Sequence, residues 1–138
     1  KSQSVIRALD YGCISTQPKA AGLRLSSIYT QLKLLLKKYK PNFVAIEELF
    51  FAVNARTVIP VAEARGIVLL SAAQENIPVI SYTPLVVKQT ITGDGHADKK
   101  QVQKMVKVLL KLSEIPKPDD TADALAIAMT HAFTKRFV

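Results

Sequence analysis

The sequence predicts an α/β domain with helices on both faces of a sheet, and three observations point there. Short apolar runs bounded by turn residues alternate with longer runs of helical periodicity. Apolar residues make up 49% of the chain and charged residues 22%, the balance of a globular protein rather than a disordered one. At 138 residues the chain suits a single domain, residues 1–138, with one core.

Each element follows in order. "VIRALDYGCIST" (5–16) is rich in strand formers and leads into a polar loop containing Pro18. Leu25, Ile28, Leu32, Leu35 and Tyr39 recur at helical spacing, which predicts a helix over 22–39 that stops before Pro41. "FVAIE" (43–47) is a buried strand ending on an acid. After a loop at 48–54, residues 55–76 form a long, mostly apolar helix with Pro60 near its start. "PVISY" (78–82) is a second buried strand, and a short helix begins at Pro84. The glycines of "TGDGHAD" (92–98) mark a mobile loop, 99–111 is a strongly amphipathic helix, "EIPKP" (114–118) is a linker, and 119–136 is the closing helix.

Charge and cysteine usage narrow the function. Nineteen Lys and Arg against eleven Asp and Glu give a net charge of +8, which favours an anionic partner, nucleic acid being the commonest kind. The single Cys13 excludes an internal disulfide and suits a reducing compartment; its strand-like context makes it a small core residue. The longest apolar stretch, 66–73, is too short to cross a bilayer and no signal peptide opens the chain, so a cytoplasmic protein without membrane attachment is expected.

Four features could carry chemistry. Glu47 closes a strand, at the end where ligands gather in open α/β sheets, although a solvated loop acid would read the same way. Asp120 and Asp123 are three residues apart on the closing helix, side by side one turn apart. One of Asp119 and Asp120 could cap that helix, but Asp123 lies a turn deeper beside apolar residues. Together with Glu47 they would make an oxygen-rich pocket for Mg²⁺, a hard cation. On helix 99–111, Lys100, Lys104, Lys107 and Lys111 fall within about 60° of one another, a face of one sign suited to a phosphate backbone or simply to solvent. In "LFFAVN" (49–54) one of two adjacent phenylalanines could stack on an unpaired base. His96 and His131 have no Cys or second His at zinc-ligand spacing.

The segments "DYGCIST", "VAIEELFFAVNA", "AEARGIVLLSAA", "YTPLVVKQTITGDGHADKKQVQKMV" and "IPKPDDTADALAIAMTHA" run in the order of the RuvC family of Holliday-junction resolvases, which the chain resembles over nearly its whole length. The resemblance implies a ribonuclease H-like mixed sheet flanked by helices and a homodimer that nicks two opposing strands of a four-way DNA junction. It further implies Mg²⁺ or Mn²⁺, two ions per site, and the RuvA–RuvB branch-migration complex as partner. Carried over by motif, Glu47, Asp120 and Asp123 are the catalytic metal ligands, and Asp119 falls outside the pattern. Phe50 matches a DNA-contacting phenylalanine, while Lys88 and Lys99 match functional lysines. The family's first strand, which supplies a further ligand Asp, and its second strand are not in this sequence, so the natural protein is expected to carry them. A non-catalytic junction-binding protein is the alternative.

Overall fold

The computed structural model describes residues 5–17, 20–48 and 55–135. Its elements follow in the order α1 (Ala21–Tyr39), β1 (Val44–Glu47), α2 (Ala55–Gln74), β2 (Val79–Tyr82), α3 (Pro84–Thr92), α4 (Lys99–Leu109) and α5 (Asp119–Lys135). β1 and β2 pair, and they run parallel: the Val44 N–H donates to the Pro78 carbonyl and, four residues on, the Glu48 N–H donates to the Tyr82 carbonyl.

The chain forms two compact units. The first takes the described residues of Lys1–Cys13, Ala45–Glu48 and Ser81–Val138. Its core joins Val87 and Ile91 of α3, Val102 and Val106 of α4, and Ala126, Ile127 and Met129 of α5. These positions are one apolar stripe per helix, which is what allows three helices to close on one another. The second unit takes the described residues of Ile14–Val44 and Leu49–Ile80, with α1 packed on α2 and the Tyr29 hydroxyl bonded to the Gln74 amide oxygen.

Helix ends explain where the sequence boundaries shift. α2 closes with Asn76 in the left-handed region while the Ile77 N–H reaches the Ala72 carbonyl, so the helix ends two residues before the expected 76. Pro60 lies in the second turn of α2, near its start, and has no N–H for the Arg56 carbonyl. α4 ends in the same way as α2: Lys111 has φ 55° and the Leu112 N–H donates to the Lys107 carbonyl. Lys111 therefore leaves the helical lysine face on which the sequence placed it.

Two further expectations are corrected. Residues 5–17 form no strand. A strand exists only as part of a ladder, and among the described residues the sheet is β1 and β2 alone. Ile6 and Ala8 pack on the core of the first unit, while Val5, Leu9 and Tyr11 stay exposed. Cys13 is exposed rather than a core residue. Within the 92–98 loop, Gly93, at φ 83°, caps α3, the Gln89 side chain bridges Gly93 and Gly95, and Asp94 accepts from the His96 N–H at 2.8 Å. No helix among the described residues is long and apolar enough to cross a membrane.

Candidate active site

Every charged group of the candidate site lies in the first unit, at the end of β1 and the N-termini of α4 and α5. Glu47 is the last residue of β1, fixed by the neighbouring Glu48 N–H···O Tyr82 bond at 2.9 Å. Asp119 and Asp120 open α5, and Asp123 follows one turn later. Beneath this turn Thr121 and Ala122 are buried, and the Thr121 hydroxyl donates to the Gly12 carbonyl at 3.4 Å. That burial fixes the rotation of α5 and turns Asp120 and Asp123 away from the core.

The start of α4 is equally well defined. Asp98 accepts from the Gln101 N–H, and the Gln101 side chain accepts from the Asp98 N–H, both at 2.8 Å, a reciprocal capping box. Lys99 is the first residue after that cap, and its ammonium lies 3.4 Å from Asp123 and 3.6 Å from Asp119. Gln103, one turn along the same face of α4, donates to Asp119 at 3.2 Å.

The charges of these groups act on one another. The Glu47 carboxyl is held above its ordinary value, first by partial desolvation, next by the negative charge of Asp123, with Lys99 opposing and Asp120 adding a smaller push. Lys99 is held above its own ordinary value, chiefly by Asp123, with desolvation opposing and Asp119 contributing last. Asp123 and Asp120 thus both act on Glu47, and the Lys99 ammonium that opposes them pairs with Asp123 and Asp119. Among the described residues no three His, Cys, Asp or Glu side chains stand as a ready-made metal-ligand set. Like charges repel one another, so carboxylates draw together fully only around a cation. The donors themselves fit a hard divalent ion: oxygen-only, anionic and solvent-accessible.

The other sequence candidates are distributed more widely. Lys100 and Lys104 are exposed and Lys107 half-buried on α4, with Val102 and Val106 buried on the opposite side. Lys88 is half-buried on α3. Phe50 lies outside the described residues. Sequence reasoning missed the roles of Asp119 and Gln103; the only trace of them was the four-residue spacing of Lys99 and Gln103. It also missed the bond between the Tyr82 hydroxyl and His131 Nδ1, 2.6 Å long.

Comparison with known proteins follows the same lines. A family model described as "Crossover junction endodeoxyribonuclease RuvC" matches residues 1–131. The chain is 52% identical over 139 residues to the protein of that name from Caldicellulosiruptor saccharolyticus, covering 100% of this chain and 84% of the relative. It is 54% identical over 127 residues to that of Desulforamulus reducens, with 91% and 78% covered. Among solved structures it is similar to Thermus thermophilus RuvC, with TM-score 0.90, 39% identity, and 99% and 83% of the two chains covered. It is also similar to T. thermophilus RuvC in complex with a Holliday junction substrate, with TM-score 0.90, 40% identity, and 95% and 80% covered. The ribonuclease H-like α/β reading agrees with these neighbours.

Proposed function

The chain belongs to the RuvC family of crossover junction endodeoxyribonucleases, and we propose that it resolves four-way Holliday junctions in DNA by paired nicks during homologous recombination and repair. What supports the reading is that Asp123 and Asp120 both act electrostatically on Glu47 at the end of β1, in a chain whose relatives are named as endonucleases. The alternative, a junction-binding protein without catalysis, is not favoured by those relatives.

In this reading Glu47, Asp120 and Asp123 hold Mg²⁺, with Mn²⁺ as a substitute and two ions per site. A metal bound there would supply activation of a water and stabilisation of the leaving oxygen. The rest is the work of the chain itself. The three carboxylates, from the end of β1 and the first turns of α5, would hold the ion. Lys100, Lys104 and Lys107, with Lys88 and Lys99, grip the phosphate backbone, and Phe50 probes opened bases at the crossover.

Two opposed nicks call for two sites, hence a homodimer, and α2 is its candidate interface. Ile59 and Leu70, eleven residues apart and so on one face, are 66% and 49% exposed, and Gly66 between them has open space where a Cβ would stand. The protein acts in the cytoplasm as a single nuclease domain, with the RuvA–RuvB branch-migration complex as partner.

Cleavage of a synthetic four-way junction in Mg²⁺ tests the reading. Glu47→Gln and Asp123→Asn should each abolish nicking while leaving junction binding intact. Unchanged nicking would remove those residues from the site, and a wild-type protein that binds the junction without cutting it would restore the alternative.

A further inference from the structure

We infer that the cleft at the C-terminal ends of α1 and α2 is a docking site for an extended acidic segment of a partner protein. The inference is independent of the metal-dependent reading, and the cleft lies wholly within the second compact unit.

The cleft is built where two helices stop. α1 ends at Lys40, with φ 46°, and α2 is followed by Asn76, with φ 57°, so the chain turns twice through the left-handed region. Each turn is closed by a backbone bond of 2.9 Å, from the Lys40 N–H to the Leu36 carbonyl and from the Ile77 N–H to the Ala72 carbonyl. Between them lies a cavity of about 590 Å³, with Leu36, Pro41 and Ile77 as its apolar lining. Glycine is the favoured residue at a left-handed helix end. Lysine at position 40 therefore holds an ammonium at the cleft against a conformational cost.

The polar groups of the cleft are available to a ligand. Lys37, Lys40, Asn42, Glu75 and Asn76 line it, and among the described residues none of their side chains makes a hydrogen bond or ion pair. The cavity beside α3 differs, because Gln89 and Asp94 there already bond the backbone of the 93–96 turn.

Charge selects the occupant. Between Asp10 and Glu47 the chain carries six Lys or Arg and no acid, and two of those lysines line the cleft. A DNA duplex suits it poorly: Glu75 stands among the lysines, a convex backbone does not enter a cleft, and phosphates gain nothing from an apolar lining. An extended peptide uses every group. Its acids pair with Lys37 and Lys40, its backbone amides meet the donors and acceptors of Asn42 and Asn76, and one N–H reaches Glu75. An apolar side chain between the acids covers Pro41 and Ile77.

An array of short immobilised peptides, combining Asp and Glu with Leu, Ile and Phe in varied order, tests the inference when probed with the full chain. A subset should be bound, and the Asn and Gln counterparts of that subset should not. By fluorescence anisotropy, Lys37→Ala and Lys40→Gly should each weaken the tightest peptide by about two- to five-fold, the scale of an exposed ion pair. Glycine suits the left-handed turn at position 40, so a lost fold cannot explain that effect. Binding and cleavage of a four-way junction should be unchanged in both variants. Failure of every acidic peptide to bind, or equal binding by both variants, overturns the inference. So does a junction affinity whose salt slope falls in either variant, which would assign the cleft to nucleic acid instead.

Discussion

The Tyr82 hydroxyl lies 2.6 Å from Nδ1 of His131, while the Tyr82 carbonyl accepts the N–H of Glu48 at 2.9 Å. One residue thus ties the end of the strand that bears Glu47 to the helix that bears Asp120 and Asp123. His131 sits on α5 among core neighbours that include Met129 and Thr130, both essentially buried, so the bond forms in a poorly solvated setting. Tyr82→Phe keeps the ring and deletes the hydroxyl, leaving the imidazole nitrogen without that partner. The expected loss is about 1–2 kcal/mol of stability, read as a lower urea midpoint with unchanged slope. Junction cleavage should fall with it, because the strand end loses a tie to the helix that bears Asp120 and Asp123. A variant as stable as the wild type would show that the hydroxyl contributes nothing.

The raised Glu47 carboxyl makes the stability of the metal-free protein depend on pH. In the unfolded chain the group titrates near its ordinary value of 4.5, and in the folded chain it titrates higher because of desolvation first and Asp123 second. Across that interval the native state holds the extra proton, so stability falls as pH rises through it, and the cost is fully present above it. Glu47→Gln removes this dependence. Urea midpoints measured from the ordinary carboxylate range up to neutrality should fall less steeply with pH in the variant, which should be the more stable of the two at neutral pH. Metal demands the ionised carboxylate, so Mn²⁺ affinity of the wild type should move oppositely and weaken as pH falls through the same interval. Parallel midpoint curves for the two proteins would refute the assignment.

Most of the fold was legible because periodicity survives in the chain. Val102 and Val106 are buried opposite Lys100, Lys104 and Lys107, as the amphipathic pattern of α4 required. β1 and β2 stood out as short apolar runs between turn residues. What failed depends on partners that a local pattern does not contain. The 5–16 segment has strand composition but no ladder partner among the described residues, and Cys13 consequently faces solvent. Lys111 fits the lysine face by number alone, yet a left-handed backbone ends the helix before it. No spacing connects Glu47 to Asp120 and Asp123; the charge influence of both aspartates on Glu47 arises only in the folded chain. Asp119 looked like a surplus helix-start acid until Lys99 and Gln103 met it from another helix.

The α4 lysines offer a prediction about salt. Each phosphate neutralised by a lysine releases counterions, so the logarithm of junction affinity falls with the logarithm of salt concentration, steeply in proportion to the number of contacts. Lys104→Ala and Lys107→Ala should each weaken junction binding and reduce that slope by about one. Their helix is anchored by Val102 and Val106, so neither substitution should alter stability by more than about 0.5 kcal/mol. A slope that does not move would return these lysines to a merely solvated face.

In the proposed homodimer, subunit association runs through α2. The exposed stripe through Ile59, Gly66 and Leu70 is apolar at its ends and narrow at its middle, so a second copy of the helix could approach closely at the glycine. In a two-fold arrangement a patch meets its own copy, and a charge placed there meets a like charge. Leu70→Glu should therefore convert a dimer to a monomer at micromolar concentration, measured by sedimentation equilibrium. The variant should keep its circular dichroism and its Mn²⁺ affinity, because Leu70 belongs to the second compact unit while Glu47, Asp120 and Asp123 belong to the first. It should bind a four-way junction more weakly and lose paired nicking, since two opposed cuts need two sites held in one assembly. A Leu70→Glu protein that sediments as the wild type does would move the interface to another surface of the chain.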